Sequence, residues 1–324
     1  MLKTITGALA AVAALTAGAS AQNYPTRPVT MVIPFAAGGP TDVLGRVVAA
    51  KMSESLGQQV VVENVTGAGG QTGSKRVADA APDGYNFVIG TVGTHAQAQT
   101  LYKRPLYNSQ TDFTPVGLIA QVPIALIARK DLPVKDFKEF VTYAKANQSK
   151  MQFGSAGAGS ATHLGCVLLN YMIGVNITHV PYRGTGPAMQ DLIGGRLDFI
   201  AEQISTALPQ IQGNAVKAIA TLGLDRAPGI EDLPTAQEMG LSGLDCSSWG
   251  SLSFPKGTPA DIVRRLAKAS NEAVETPAVR ERFKGIGVTI PAAERRTPEY
   301  LAKFVPSEIE RWAGPIKASG VSAD

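Results

Sequence analysis

A strand followed by a glycine-rich turn and the start of a helix occurs twice in this chain. The first copy runs from Met31 to Asp42, and the second runs from Met151 to His163. In each copy the turn leaves the first N–H groups of the helix uncovered, and such a helix end carries roughly half a positive charge. A carboxylate or a phosphate binds readily there. The repeat therefore predicts that a small anion is held between two parts of one molecule.

The order of the predicted elements indicates an α/β fold with two lobes. Strands predicted over 28–35, 59–63 and 85–90 alternate with helices, which is typical of a parallel sheet with right-handed crossovers. The same alternation starts again near residue 124, and the chain crosses back near Ser247. We predict that each lobe has a mostly parallel sheet flanked by helices and that crossover hinge strands join the lobes. The expected bounds are 22–123 and 247–324 for lobe 1 and 124–246 for lobe 2, with the hinge near 122–126 and 246–250.

Helical periodicity and terminal residues also predict individual elements. Pro40 opens a helix that ends at Gly57, because proline is tolerated in the first turn and glycine favours the end. Further predictions are a strand over 124–128, and helices over 134–147 and 298–318.

The first 21 residues have the pattern of a secretory signal peptide. Lys3 supplies a positive charge, residues 5–15 are apolar and rich in alanine, and Ala19-Ser20-Ala21 fits a small-x-small cleavage site. A membrane anchor is the alternative interpretation, but the apolar run is shorter than the ~20 residues that a spanning helix needs. We therefore expect an exported protein of the periplasm whose mature chain begins near Gln22.

Composition argues against nucleic acid as a partner, and residue spacing argues against a metal. The formal net charge is +4, the Lys and Arg residues are scattered, and only 6% of residues are aromatic. Neither Cys166 nor Cys246 has another Cys or a His at metal-ligand spacing. The two can pair in an exported protein, but two buried free thiols are favoured over one bridge. We expect no metal and no cofactor.

The sequence lacks the common catalytic patterns. It contains no G-x-S-x-G, no H-E-x-x-H and no P-loop, and its three histidines are isolated. The glycines over 67–73 miss the dinucleotide fingerprint by one position. We therefore predict a binding protein and not an enzyme, and an exported hydrolase ranks last among the alternatives.

Candidate ligand residues lie at the ends of the predicted parallel strands, where the turns of an open sheet bind ligands. Hydroxyls can donate to a carboxylate, histidines can bond a ligand oxygen, and Arg183 can neutralise a second carboxylate. Each residue also has a structural alternative, such as helix capping, core packing or, for an arginine, covering the surface with its stem. The candidates are Phe35, Ala36, Ala37, Gly38, Gly39, Thr91, Thr94, His95, Ser155, Ala158, Ser160, Thr162, His163, Tyr182, Arg183, Glu202 and Gln203.

Several motifs follow one another over essentially the whole mature chain. They are Tyr24-Pro25-Thr26-Arg27-Pro28, Pro34-Phe35-x-x-Gly38-Gly39-x-x-Asp42, Val62-Glu63-Asn64-x-x-Gly67-Ala68-Gly69-Gly70, Ala81-Pro82-Asp83-Gly84-Tyr85, His179-Val180-Pro181-Tyr182-Arg183-Gly184, Leu233-Pro234-Thr235-x-x-Glu238-x-Gly240 and Pro255-x-Gly257-Thr258-Pro259. Together they resemble the solute-binding receptors of tripartite tricarboxylate transporters, also called the Bordetella-uptake-gene or Bug type.

The resemblance implies a periplasmic-binding-protein fold of the second topological type. It implies a carboxylate ligand, often a dicarboxylate or tricarboxylate, that is held partly through ordered waters and delivered to a two-component membrane permease. Ala37 stands where the family usually has proline, and Glu202-Gln203 stands where many relatives have Asp-Asn. The identity of the carboxylate, aliphatic or aromatic, is therefore left open. The ligand-facing positions carried over are Phe35 to Gly39, Thr91, Thr94, His95, Ser155, Ser160, Thr162 and His163.

We expect a monomer that closes around its ligand by a hinge, because the ligand contacts both lobes only in the closed state. The first turn and residues 155–163 hold one carboxylate in this interpretation, and Arg183 or residues 91–95 hold the far end. The alternative is a ligand sensor that presents the bound state to a membrane sensor kinase, since both functions need the same closed surface.

Overall fold

The structure, a computed structural model, describes residues 24–323. The predicted signal peptide and its cleavage site lie outside the described residues. Residues 24–323 contain nine β-strands and ten α-helices, which is a mixed α/β fold as predicted. Within this range no helix combines the length and the apolar character needed to cross a membrane.

The elements alternate along the chain as follows. The strands are β1 (Val29–Ile33), β2 (Val60–Asn64), β3 (Asn86–Thr91), β4 (Phe113–Arg129), β5 (Gln152–Ser155), β6 (Thr178–Pro181), β7 (Phe199–Gln203), β8 (Val216–Thr221) and β9 (Ser247–Pro255). The helices are α1 (Pro40–Leu56), α2 (Gln71–Ala78), α3 (Ala98–Leu101), α4 (Phe137–Asn147), α5 (Ala161–Ile173), α6 (Thr185–Ile193), α7 (Ile204–Gln212), α8 (Ala260–Glu275), α9 (Pro277–Gly285) and α10 (Pro298–Ala318).

The strands form a continuous path in the order β2-β1-β3-β9-β4-β7-β5-β6, and β8 pairs with β4. The predicted parallel pairs are present: β1 pairs with β2 and β3, and β5 pairs with β6 and β7. The long strands β4 and β9 add antiparallel pairs, because they run between the two ends of the path. The α/β class is confirmed, and the sheet contains more antiparallel pairing than predicted.

Strand β4 belongs to two groups of strands. Its residues up to Pro123 pair with β9, and its residues from Ile124 pair with β7 and β8. We call β1, β2, β3, β9 and the first part of β4 the first strand group, and we call the remainder the second strand group. The change of partner falls where the sequence places the boundary between lobes, although the division into lobes itself stays a prediction.

The sequence-based prediction gives a strand only over 124–128 and misses residues 113–123 of β4. Pro115 and Pro123 interrupt these earlier residues, and proline removes a ladder donor. The pairing with β9 has register shifts between Pro115 and Gly117 and between Leu118 and Ala120, so Pro115 lies at a bulge, whereas Pro123 pairs with Ser247 at the end of this ladder. Such bulges are where a strand tolerates proline.

Buried apolar side chains form two main clusters, and each cluster contains residues from both strand groups. Phe87 and Ile200 lie in one cluster, and Leu118 and Phe153 lie in the other. The core is therefore continuous through the crossover strands. The two cysteines are buried within it and are free.

Candidate functional site

A narrow cavity lies where four helices begin. Helices α1, α5, α6 and α7 all start at its wall, and β3 ends there. The space available to the centre of a water molecule is about 10 Å³, which is about the room of one water. We call this the interlobe cavity because its wall combines residues of the two predicted lobes. Its lining residues are Phe35, Gly39, Pro40, Thr41, Thr91, Ala156, Ser160, Ala161, Thr162, Thr185 and Gln203.

Three of the four helices begin without a side-chain cap. Gly39 precedes α1 and Gly184 precedes α6, and neither glycine has a side chain to offer. Gln203 precedes α7 and makes no capping hydrogen bond. Only Ser160 caps its helix, since its Oγ accepts from the N–H of His163 at 3.2 Å. Uncapped N–H groups and the positive ends of the helix dipoles make this cavity favourable for an anion.

Two hydroxyls of the second glycine-rich turn form a small network at the cavity. Ser160 Oγ donates to the carbonyl of Gly157 at 2.7 Å and lies 3.2 Å from Thr162 Oγ1. Thr162 Oγ1 accepts from the N–H of Ala156 at 3.0 Å. The proton of Ser160 is thus already used, while the proton of Thr162 is able to turn towards an oxygen in the cavity.

Contacts between the strand groups close the cavity on its outer side. The N–H of Ala36 donates to the carbonyl of Arg183 at 3.0 Å. The hydroxyl of Tyr102 lies 2.9 Å from the carbonyl oxygen of Ala68 and 2.7 Å from that of Ala158. Small residues permit this approach, because a Cβ on Gly184 would lie 2.8 Å from the backbone nitrogen of Ala36. The structure therefore has the two strand groups in direct contact around the cavity.

The structure brings some predicted ligand residues to the cavity wall and leaves others behind it. The predicted residues at the wall are Phe35, Gly39, Thr91, Ser160, Thr162 and Gln203. Ala36 and Ala158 contribute backbone groups to the contacts between strand groups. Ala37 and Gly38 line a neighbouring cavity of about 390 Å³ that also contains Thr185 and Thr206. Ala158, Tyr182 and Arg183 line a third cavity of about 610 Å³.

Tyr182 is held away from the interlobe cavity by a hydrogen bond. Its hydroxyl donates to Asp191 Oδ2 at 2.7 Å. Burial, followed by the interaction with this carboxylate, raises the pKa of Tyr182 to about 12. The phenol is therefore a fixed wall of the third cavity.

Ser155 and His163 support the second glycine-rich turn from behind. Ser155 Oγ accepts from the N–H of Gly157 at 3.1 Å and lies 2.6 Å from Nε2 of His179. His163 Nδ1 accepts from the N–H of Gly159 at 3.3 Å. Because both residues are engaged with the backbone of the turn, they fix its shape.

His179 completes this support, and the sequence analysis did not select it. Its ring centroid lies 4.3 Å from that of His163. Burial lowers the pKa of His179 to about 4, and burial together with the neighbouring ring lowers the pKa of His163 to about 3. Both rings are therefore neutral near pH 7. Two sequence signals pointed to it: its position in β6, the strand beside β5, and its place in the motif His179-Val180-Pro181-Tyr182-Arg183-Gly184.

Thr94 and His95 lie beneath β3 and not at the cavity wall. Thr94 Oγ1 accepts from the N–H of Thr91 at 2.9 Å and lies 2.9 Å from Nδ1 of His95. The His95 ring packs against Phe113 with 4.8 Å between centroids. Burial lowers the pKa of His95 to about 4. The π-helical turn over 93–97, which the sequence did not predict, turns this imidazole into the core.

Glu202 is a buried carboxyl directly behind the cavity wall. Its Oε1 accepts from Thr185 Oγ1 at 2.9 Å and from Thr206 Oγ1 at 2.5 Å, while Oε2 has no partner among the described residues. Burial raises the pKa of Glu202 to about 7. The carboxyl thus orients Thr185, a wall residue that sequence reasoning missed.

The other wall residues missed by sequence reasoning are Pro40, Thr41, Ala156 and Ala161. Pro40, Thr41 and Ala161 lie within the first two residues of a helix. The sequences Gly39-Pro40-Thr41 and Ser160-Ala161 already indicated these helix starts. The first residues of a helix have free backbone N–H groups, and these point into the space in front of the helix N-terminus. Residues just after a predicted cap were therefore better candidates than the buried histidines.

Two strand groups that close on one anion-favouring cavity define a solute-binding protein of the periplasmic binding type. The chain belongs to the tripartite tricarboxylate transporter family of receptors, whose family model matches residues 44–321. That family is a class of solute-binding receptors and not a class of enzymes. The resemblance seen in the sequence motifs is confirmed, and this protein is a periplasmic solute-binding receptor.

Solved structures of related proteins are similar over nearly the whole chain. The periplasmic binding protein BugD is 41% identical, covers 93% of this chain and 100% of its own, and has a TM-score of 0.90. MatC of Rhodopseudomonas palustris, solved with bound malate, is 41% identical over 90% of this chain and 100% of its own, with a TM-score of 0.88. A further R. palustris protein, solved with adipate, is 35% identical over 92% of this chain and 99% of its own, with a TM-score of 0.87.

Proposed function

We propose that this receptor captures a small carboxylate, a dicarboxylate or tricarboxylate of aliphatic or aromatic type, between two lobes. The lobes are residues 24–123 with 247–323, and residues 124–246. The receptor then delivers the ligand to a membrane permease of the tripartite tricarboxylate type. The observation that carries this proposal is the convergence of four helix N-termini on the interlobe cavity.

The charge balance of the cavity favours an anion. Its lining contains no ionised side chain, and the positive ends of α5, α6 and α7 have no acidic residue in their first turns. Asp42, in the first turn of α1, lies outside the lining and is paired with Arg46. The buried Glu202 behind the wall is shifted towards its neutral form. A ligand carboxylate can therefore accept from uncapped N–H groups and from the Thr162 hydroxyl without facing a like charge in the wall.

Closure explains how so small a cavity holds a ligand. The wall combines Gly39 and Thr91 of the first lobe with Ser160 and Thr185 of the second. A ligand that contacts both sides stabilises the closed arrangement and holds the lobes slightly further apart than they lie here. Malate and adipate, which are bound in the two R. palustris structures, are both dicarboxylates. This supports a ligand of the same class.

The proposal is tested by calorimetry and thermal shift with a panel of compounds. Malate, adipate, citrate and terephthalate are compared with glucose and putrescine, and we expect at least one carboxylate to raise the Tm by mass action. The double variant Ser160→Ala/Thr162→Ala should bind that carboxylate at least tenfold more weakly, because it loses the Thr162 donor to a charged group and the Ser160 hydrogen bonds that hold the turn. Ser307→Ala, at an exposed serine of α10, is the matched control.

Two results contradict the proposal. If only the sugar or the amine binds, the ligand class is wrong; if the double variant binds as tightly as the wild type, the site is wrong. Delivery is tested by uptake of the labelled carboxylate into cells that carry a tripartite permease, with and without this receptor. Binding without receptor-dependent uptake favours the sensor alternative.

A further inference from the structure

We propose that the receptor has a second ligand site at its hinge, which takes a small monocarboxylate with an apolar body. The site is a cavity of about 520 Å³ that shares no lining residue with the interlobe cavity. We call it the hinge cavity. It is lined by Gln121, Val122, Pro123, Gly223, Leu224, Asp225, Arg226, Pro228, Asp245, Ser247, Ser248, Trp249, Thr289, Arg295, Phe304, Glu308 and Arg311.

The hinge cavity lies at the crossover between the lobes. Residues 121–123 of β4 and 247–249 of β9 pair with each other there. Residues 223–228 add a wall from the second lobe, and residues 289–311 add one from the first. A molecule in this cavity therefore contacts both crossover strands and both lobes.

Arg295 is a cation of the hinge cavity without an acidic partner. Its Nε donates to the Tyr300 hydroxyl at 2.8 Å, and the guanidinium lies over the ring of Phe304 at 5.8 Å from the centroid. The side-chain oxygen of Gln121, in the orientation that satisfies its amide, accepts from Nη1 at 3.0 Å. Within residues 24–323 no carboxylate forms an ion pair with Arg295. Aromatic packing and these hydrogen bonds hold the guanidinium in place, so it is preorganised to bind a carboxylate.

The other charges of the hinge cavity are mostly neutralised. Arg311 forms ion pairs with Asp245 and Glu308, and Glu308 also accepts from Trp249 Nε1 at 2.9 Å. Arg226 pairs with Glu238 outside the lining. Asp225 forms no ion pair among the described residues. Arg295 is thus the one cation of the described lining without an ion pair, and it matches a ligand with one carboxylate better than a dicarboxylate.

The wall beside Arg295 is largely apolar. Pro123, Trp249 and Phe304 line it together with the exposed side chain of Leu224. This surface fits the apolar body of the ligand.

Nitrogen-15 NMR of the two tryptophan indole groups tests the proposal. Trp249 lines the hinge cavity, whereas Trp312 does not, and Trp312→Phe assigns the two indole signals. The probe is cyclohexanecarboxylate, and cyclohexylamine is the comparison of opposite charge. We expect a saturable shift of the Trp249 signal with the carboxylate only. The Kd should rise at least tenfold in Arg295→Gln and severalfold in Arg295→Lys, a charge-conserving change that loses the guanidinium geometry and keeps the test usable if the first variant does not fold.

Two control variants separate the hinge cavity from other sites. Arg104→Gln removes an exposed arginine that also lacks an ion pair among the described residues, and it should bind the probe as the wild type does. The double variant Ser160→Ala/Thr162→Ala should also keep the Trp249 response. Wild-type binding by both Arg295→Gln and Arg295→Lys, an equal response to the amine, or loss of the response in the double variant would overturn the proposal. Titration of the same samples with malate or adipate reports on the interlobe cavity separately.

Discussion

Replacing Glu202 by glutamine should remove a pH-dependent cost of folding. The carboxyl is buried behind Thr185, and burial raises its pKa from the ordinary value of 4.5 to about 7. Its Oε1 accepts hydrogen bonds from the hydroxyls of Thr185 and Thr206. Glutamine has nearly the same shape and can accept from the same two hydroxyls. Its amide N–H groups replace Oε2, which has no partner among the described residues, at a cost that does not depend on pH.

The size of the effect follows from the difference between the folded and unfolded pKa values. At about 1.4 kcal/mol per pH unit, the interval from 4.5 to about 7 corresponds to about 3 kcal/mol. Below pH 4.5 the carboxyl is protonated in both states and costs nothing. Between the two values the unfolded state ionises first, so the stability of the folded wild type falls as the pH rises. Above pH 7 the full cost is present.

Urea unfolding of the wild type and of Glu202→Gln at several pH values measures this cost. Because every other titrating group is common to both proteins, the difference in unfolding free energy isolates position 202. We expect the stability of the variant relative to the wild type to rise by about 2 kcal/mol between pH 5 and pH 8. Glu310→Gln, at an exposed glutamate of α10, should show no such trend. A difference that is flat with pH, or one that falls as the pH rises, refutes the reasoning.

Two further predictions concern closure and acid stability. Gly69 has φ +60°, and a Cβ there would overlap the carbonyl oxygen of Ala158 in the other lobe, so Gly69→Ala should hinder closure and weaken ligand binding at least tenfold. The control variant Gly57→Ala also introduces alanine at positive φ, but in open space. It should leave the ligand affinity and the radius of gyration from small-angle scattering unchanged. Equal ligand affinities for the two variants contradict the argument. Thermal melts should show stability falling as the pH drops from 6.5 towards 4, because His95, His163 and His179 are buried neutral and the unfolded chain takes up protons first. The effect of these three histidines outweighs the opposite effect of Glu202 over the same range. His179→Gln should flatten that fall, and an unchanged profile would exclude this cause.

Local chemistry was sufficient to predict most of the helices and strands. Helix α10 has the predicted bounds, because Pro298 fits the first turn and the Thr297 side chain caps it. Helix α1 ends where Gly57 adopts φ +71°. In these cases the signal lies in a few neighbouring residues, so no tertiary contact is needed to read it.

The prediction failed where long-range pairing overrides local preference. The first part of β4 contains Pro115 and Pro123 and is a strand only because β9 pairs with it. The π-helical turn over 93–97 is held by packing under β3. It carries His95 into the core, although its sequence resembles a ligand turn.

The sequence by itself determined that this is an α/β receptor with anion-favouring turns, because glycine-rich turns, helix caps and family motifs are local patterns. Only the tertiary structure decided which side chains face the cavity. A histidine near a turn can point to the ligand or to the core. The ring of His95 packs against Phe113 in the core and does not face the cavity. The roles of Thr185 and Glu202 likewise arise from contacts between distant segments. Charge and hydrogen-bond partners at such a site are properties of the assembled fold.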